Sequence, residues 1–232
     1  MKITYLDHSG FAVECGDTLL VFDEYNPKPA QGKSGLAGGV VTEADVRAHA
    51  HSALLLSHSH SDHYCKEVLA LPFESTVLSP DFPKRLSGTR LAEGESAALP
   101  GLAVRAFGST DMGVSYLADL PGARIFHAGD YNLWHWEDES TEEEIREATE
   151  WFERILATLA PFAGTIDLAF FPLDPRMGKN TARGAERFLE VMRPKVFIPM
   201  HCQGDAALPE DFARKHPDCV RAMTRRGQVL EI

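Results

Sequence analysis

Short apolar runs bounded by turn residues fill the first half of the chain, and longer apolar stripes at helical spacing enter only in the second. The short runs predict strands at Ile3 to Leu6, Phe11 to Glu14 and Thr18 to Phe22, with Cys15-Gly16-Asp17 as a tight turn between the last two. From Asn26 to Val41 the chain is rich in Gly and Pro, which predicts a long loop, either a lid over a site or a surface excursion. Thr42 is placed to cap a short helix reaching about His49. A strand from Ala53 to Ser57 comes next, then a short helix from Tyr64 to Leu71. Further strands are expected near Thr76 to Leu78, Ala103 to Phe107, Val114 to Leu120 and Arg124 to His127, the last two joined by Pro121-Gly122.

The second half changes rhythm. Ser140 and Thr141 each have a glutamate three residues on, a capping-box signature, and Ile145, Ala148, Phe152, Ile155, Leu156 and Leu159 form one apolar stripe, so a long helix is expected from Thr141 to Leu159. Strand Ile166 to Phe171, helix Thr181 to Met192, strand Val196 to Pro199, a short helix opening at Pro209 and a strand near Val229 follow in alternation. Together these elements predict an α/β chain of two packed sheets with helices outside, forming one domain over residues 1–232.

Composition narrows the partners. The chain has 232 residues, 44% hydrophobic and 25% charged, ordinary values for a water-soluble globular fold. A formal charge of −11 repels phosphate backbones and anionic bilayers, so neither nucleic acid nor a membrane is expected, and a small-molecule substrate is. Cys15, Cys65, Cys202 and Cys219 are scattered without a C-x-x-C pair, and Asp7, His8 and Glu14 interrupt any signal-peptide core, which reads as a reduced, cytoplasmic chain.

The chemistry concentrates at His58-Ser59-His60-Ser61-Asp62-His63, directly after the apolar run Ala53 to Leu56. His58 and His60 project the same way from an extended chain, while Asp62 and His63 turn toward a neighbouring point, so one segment can feed two adjacent metal positions. A catalytic metal also needs ligands from other strand ends. Asp130 follows the strand Arg124 to His127, where a carboxylate can bridge two cations, and His201 follows the strand Val196 to Pro199 in the same way.

These pieces resemble the metallo-β-lactamase superfamily of metal-dependent hydrolases. The matching segments are His58 to His63, His127-Ala128-Gly129-Asp130 and Pro199-Met200-His201, and the opening Tyr5 to Phe11 is similar to that of the lactonase-like branch. The resemblance implies an αββα four-layer sandwich with the site where strand ends converge. It also implies that His58 and His60 serve a first metal, Asp62, His63 and His201 a second, and Asp130 both. One position departs from the family. Aligning Gly113-Val114-Ser115 with the end of the family segment H-x-x-G-x-x-S puts Ser109 where a third histidine of the first site belongs. The first site is therefore depleted, with Asp111 as a possible replacement ligand that would favour Mn2+ or Fe2+ over Zn2+, and one or two ions of unequal affinity are expected.

The function so implied is hydrolysis of a small-molecule ester, lactone or phosphoester by a hydroxide generated on the metal, zinc first among candidates, with Asp62 orienting that nucleophile. Trp134 is a candidate for the substrate wall, and Arg176 is placed either to clamp an anionic group or to pair with Asp174. His8 and His127 read as buried hydrogen-bonding neighbours, and Cys65 and Cys202 as small buried side chains. Two alternatives stay open: a metal-binding or ligand-sensing protein with a reduced site, motivated by Ser109, and a nuclease of the same superfamily, opposed by the net charge.

Overall fold

The run Thr18–Phe22 is buried at every position, so the sheet that contains it must be covered on both faces, and that requirement sets the layer order. In the computed structural model, which describes residues 1–136 and 139–232, β1 (Lys2–Asp7), β2 (Gly10–Cys15) and β3 (Thr18–Phe22) form an antiparallel meander. Helix α1 (Glu43–Arg47) leads into β4 (His51–Leu56), and α2 (Lys66–Leu69) into β5 (Ser75–Leu78) and β6 (Thr89–Arg90), all three strands running parallel to β3. The second sheet opens with the antiparallel strands β7 (Ser96–Leu99), β8 (Leu102–Phe107), β9 (Ser115–Leu120) and β10 (Ala123–His127). It is extended in parallel by β11 (Leu168–Pro172) and β12 (Val196–Met200), reached through α3 (Glu142–Leu159) and α4 (Arg183–Met192). After α5 (Ala207–Lys215), β13 (Val229–Glu231) returns to pair with β1. The strand orders are β13-β1-β2-β3-β4-β5-β6 and β12-β11-β10-β9-β8-β7.

Side-chain alternation assigns the faces. Leu20 and Phe22 of β3, with Ala53 and Leu55 of β4, join the large core shared with the second sheet. Leu19, Val21, Leu54 and Leu56 point the other way and pack with Val46 of α1, Val68 of α2 and Phe82. Between the sheets Phe11 stacks on Phe170 with centroids 4.1 Å apart, and Phe22 on the His127 ring at 4.7 Å. On the outer side of the second sheet Phe126 stacks on Phe188 of α4 at 5.2 Å, and Phe152, Ile155, Leu156 and Leu159 seat α3. The four layers are those of the αββα sandwich.

Several boundaries differ from the sequence reading. Helices α1 and α2 are shorter than expected and α4 starts at Arg183, because Pro175–Asn180 forms a separate 3₁₀ segment. α5 opens at Ala207, with Pro209 inside its first turn, where its missing N–H costs nothing. β6 and β7 carry no apolar pattern strong enough to announce them. Pro199 falls within β12, tolerable because β12 is an edge strand.

The loop from Asn26 to Val41 is held down rather than hinged. Arg226 donates to the carbonyls of Leu6, Asn26, Lys28 and Gly39 at 2.6–2.9 Å, and the Val41 N–H donates to buried Glu24 at 3.0 Å. Gly39 has φ 71°, and a Cβ there would meet the Leu6 carbonyl at 2.9 Å and Arg226 at 2.8 Å.

Candidate metal centre

The carboxyl ends of β3, β4, β10, β11 and β12 lie along one edge of the sandwich, and each is followed within three residues by a charged or imidazole side chain: Asp23, His58, Asp130, Asp174 and His201. The connection from β4 then carries His60, Asp62 and His63. Its start is fixed by backbone contacts: the Ser57 carbonyl accepts from Val114 N at 3.0 Å, and Ser59 N donates to Asp81 at 2.7 Å. Gly113, at φ 78°, makes the first contact possible, since a Cβ there would lie 2.1 Å from the Ser57 oxygen.

The ring nitrogens are oriented by a hydrogen-bond chain. Ser57 donates its N–H and Oγ–H to the two oxygens of Asp23, at 2.8 and 2.6 Å. With that hydroxyl proton committed, His58 Nδ1–H donates to Ser57 Oγ at 2.9 Å, which leaves His58 Nε2 as an acceptor, 3.0 Å from His60 Nδ1. His63 Nδ1 donates to Asp23 and His201 Nδ1 to Asp174, both at 2.8 Å, so their Nε2 atoms also face inward. This carboxylate–imidazole pairing is the arrangement that fixes tautomer and aim in metal-binding histidines. Asp23 is fully buried, and Asp174 is held from its other side by the Arg176 guanidinium at 2.6–3.0 Å and by Gln203 at 3.4 Å.

The inward-facing atoms meet. His63 Nε2 is 3.1 Å and His201 Nε2 3.4 Å from Asp130 Oδ1, and His58 Nε2 is 3.5 Å from Asp130 Oδ2 and 3.0 Å from His60 Nδ1. His63 Nε2, His201 Nε2, His8 Nε2 and Asp130 Oδ1 are buried without a hydrogen-bond partner among the described residues. Orphaned polar atoms in one place are costly unless a ligand satisfies them, and nitrogen lone pairs with carboxylate oxygens are the donor set of a transition metal, so the residues fit a metal centre. Donor atoms of His58, His63 and Asp130 lie within 4.8 Å of one another, as do those of His8, Asp62, His63 and His201, and those of His60, Asp111 and Asp130.

Electrostatics follow from this crowding. Burial opposes a charge on Asp130, but His63, His201 and His58 outweigh it and hold the carboxyl well below the usual range. Asp62 is likewise lowered, by the adjoining His8 above all. Burial lowers His58 to about 4, whereas for His63 the burial penalty is overcome by Asp130 and Asp23, which push it up to about 10, so a metal at His63 Nε2 would have to displace a proton.

All six residues expected as ligands, His58, His60, Asp62, His63, Asp130 and His201, are therefore brought together, and Asp111 stands beside His60 and Asp130. Ser109 is 5% exposed and accepts the Asp111 N–H at 3.3 Å. Trp134 and Arg176 line a cleft of about 260 Å³ with Thr110, Asp111, Asp130 and Trp136. Trp134 also donates from Nε1 to the Asp130 carbonyl at 2.7 Å, and Arg176 makes the pair with Asp174, so each supports a centre residue as well as the wall. His127 is a buried hydrogen-bonding residue, its Nε2–H on the Ser9 carbonyl and its Nδ1 accepting from Gly129 N. Cys65 and Cys202 are only partly buried, against expectation, because both lie in connections at the rim of the sheets. Sequence reasoning missed Ser57 and Asp23, and read Asp174 only as a partner for Arg176. The available signal was the one used for Asp130, a carboxylate directly after a buried run.

A family model described as a beta-lactamase superfamily domain matches residues 2–201. A UPF0173 metal-dependent hydrolase of Bacillus velezensis is 26% identical over the full length of both chains, and one of Thermus thermophilus is 28% identical over 87% of this chain and 83% of its own. Among solved structures, Igni18, a metallo hydrolase of Ignicoccus hospitalis, superposes with a TM-score of 0.66 at 18% identity, covering 100% of this chain and 98% of its own.

Proposed function

The chain belongs to the beta-lactamase superfamily and is a metal-dependent hydrolase of that fold; from this premise we propose that it cleaves a small-molecule ester, lactone or phosphoester at a centre built from His58, His60, Asp62, His63, Asp130 and His201, with Zn2+ as the metal. The observation that carries this reading is the convergence of His63 Nε2, His201 Nε2 and Asp130 Oδ1, buried and without hydrogen-bond partners among the described residues, beside an open cleft. A bound divalent metal would supply Lewis acidity and a water made acidic near neutral pH. The chain's own residues do the rest. Asp62, 47% exposed at the side chain and ionised across the physiological range, accepts a hydrogen bond from the attacking water and holds it in line. Trp134 and Trp136, stacked with centroids 6.4 Å apart, offer an apolar wall, and the exposed side of the Arg176 guanidinium offers a positive edge for an anionic group. The cleft suits a small molecule, and the net charge of −11 weighs against a nucleic-acid strand.

The test is elemental analysis of the purified protein beside a panel of lactones, thioesters and phosphodiesters. Turnover of one class, abolished in Asp62→Ala, is the expected result. Bound metal with no turnover across the panel would overturn it and favour a ligand-sensing protein, the reading that Ser109 supports. Against that second reading, Asp111 offers the first position an oxygen donor where the imidazole is lacking, a set that favours Mn2+ or Fe2+ there.

A further inference from the structure

His8 is the one imidazole of the centre that none of the expected ligand positions includes. It follows β1 and has φ 49°, a left-handed backbone that side chains with a Cβ disfavour. Asp23 and His201, both at the centre, share that conformation, at 41° and 61°. Such strain persists only where the surrounding structure enforces it, and here it gathers at one site. The His8 carbonyl accepts from His201 N at 3.3 Å, which locks the two backbones together. Its ring lies 4.0 Å from the His201 ring and 5.9 Å from the His63 ring, centroid to centroid. The side chain is 9% exposed, and its Nε2 has no hydrogen-bond partner among the described residues; Asp62 Oδ2 is 3.5 Å away.

We infer that His8 is a metal ligand, joining Asp62, His63 and His201 in a second centre that then has three imidazoles and the Asp62 carboxylate among its donors. The inference rests on the proposed metal centre and concerns how its donors are shared. Four donors satisfy a tetrahedral divalent ion. The Asp130 carboxylate faces both centres, with Oδ1 3.1 Å from His63 Nε2 and 3.4 Å from His201 Nε2, and it also clusters with His60 and Asp111 at the first centre, where His58 points. One centre becomes rich in nitrogen and the other rich in oxygen, so two different metals would be sorted between them.

The test uses the full chain loaded with one equivalent of Zn2+, with ligand counting by X-ray absorption and affinity from competition with a chromophoric chelator. His8→Asn keeps a residue tolerant of the left-handed backbone, and His8→Gln keeps a side chain able to hydrogen-bond Asp62. Three imidazoles in the parent chain, two in both variants, and an affinity loss of about tenfold or more would bear the inference out. An unchanged imidazole count and affinity within about twofold in His8→Gln would reduce His8 to a partner of Asp62 and overturn it. A parent chain that binds no Zn2+ would overturn both this inference and the metal centre beneath it, whereas bound Zn2+ indifferent to His8 would overturn this inference alone. Circular dichroism of the metal-free variants separates misfolding from ligand loss, and a folded variant with the parent's zinc shell counts against the assignment.

Discussion

Glu24 follows Asp23 at the end of β3, is 2% exposed, and among the described residues has only the Val41 N–H as a hydrogen-bond donor. Burial raises its pKa to about 7, with Val41 and Arg226 pulling back. The folded chain therefore holds this proton up to a higher pH than the unfolded chain does. Stability should fall as pH rises from about 4.5 to about 7, by roughly 3 kcal/mol, and no further above that. Glu24→Gln keeps an acceptor for Val41 and should gain that order of stability at pH 8 while matching the parent near pH 4.5. Urea unfolding at the two pH values checks it, and an equal difference at both would refute it. Asp174→Asn should weaken metal binding about 10–100-fold in a competition titration, since it loosens the hydrogen bond that aims His201. An undiminished affinity would mean the His201 ring is held by packing alone. At this scale the sequence marked the residues that the fold brings together wherever chemistry is dense or follows a run of β-strand residues, as at His58 to His63, Asp130 and His201. His8 was read as an ordinary neighbour because a lone imidazole after a strand carries no mark until the fold sets it against His201.

Helix α3 is the element its sequence describes best. Thr141 accepts from Glu144 N, and the Glu144 carboxylate accepts from Thr141 N at 2.7 Å, completing the expected capping box. Thr141→Ala should cost about 1 kcal/mol in equilibrium unfolding. Phe152→Ala, at a fully buried position stacked on Tyr131 at 4.9 Å, should cost about 3–5 kcal/mol in the same measurement. Equal losses would show that α3 is anchored by its cap and not by its face. By contrast β7 was illegible: Ser96-Ala97-Ala98 has little β-propensity, half its positions are exposed, and its pairing comes from β8 across the Pro100-Gly101 turn. A short edge strand borrows its conformation from its neighbour, and no local pattern records the loan.

Across the whole molecule, the proposed donors span residues 8 to 201 and come from both sheets, so a bound metal would act as a cross-link between them. Removing it with a chelator should lower the melting temperature by roughly 5–10 °C, if the ion is held at about a hundred times its Kd beforehand. A melting curve that ignores the chelator would place the ion outside the native centre. The layer order was readable from periodicity, because runs buried on both faces and helices with one apolar stripe permit few arrangements. The fixing of the Asn26–Val41 loop was not, since Arg226 makes that contact with carbonyls 187 to 220 positions earlier. That separation has a consequence for biosynthesis. A ribosome completes every proposed metal donor, through His201, before it makes the arginine that closes the clasp. Until then the glycine-rich segment lacks the Arg226 contacts that hold it, so this loop is among the last parts of the fold to be fixed.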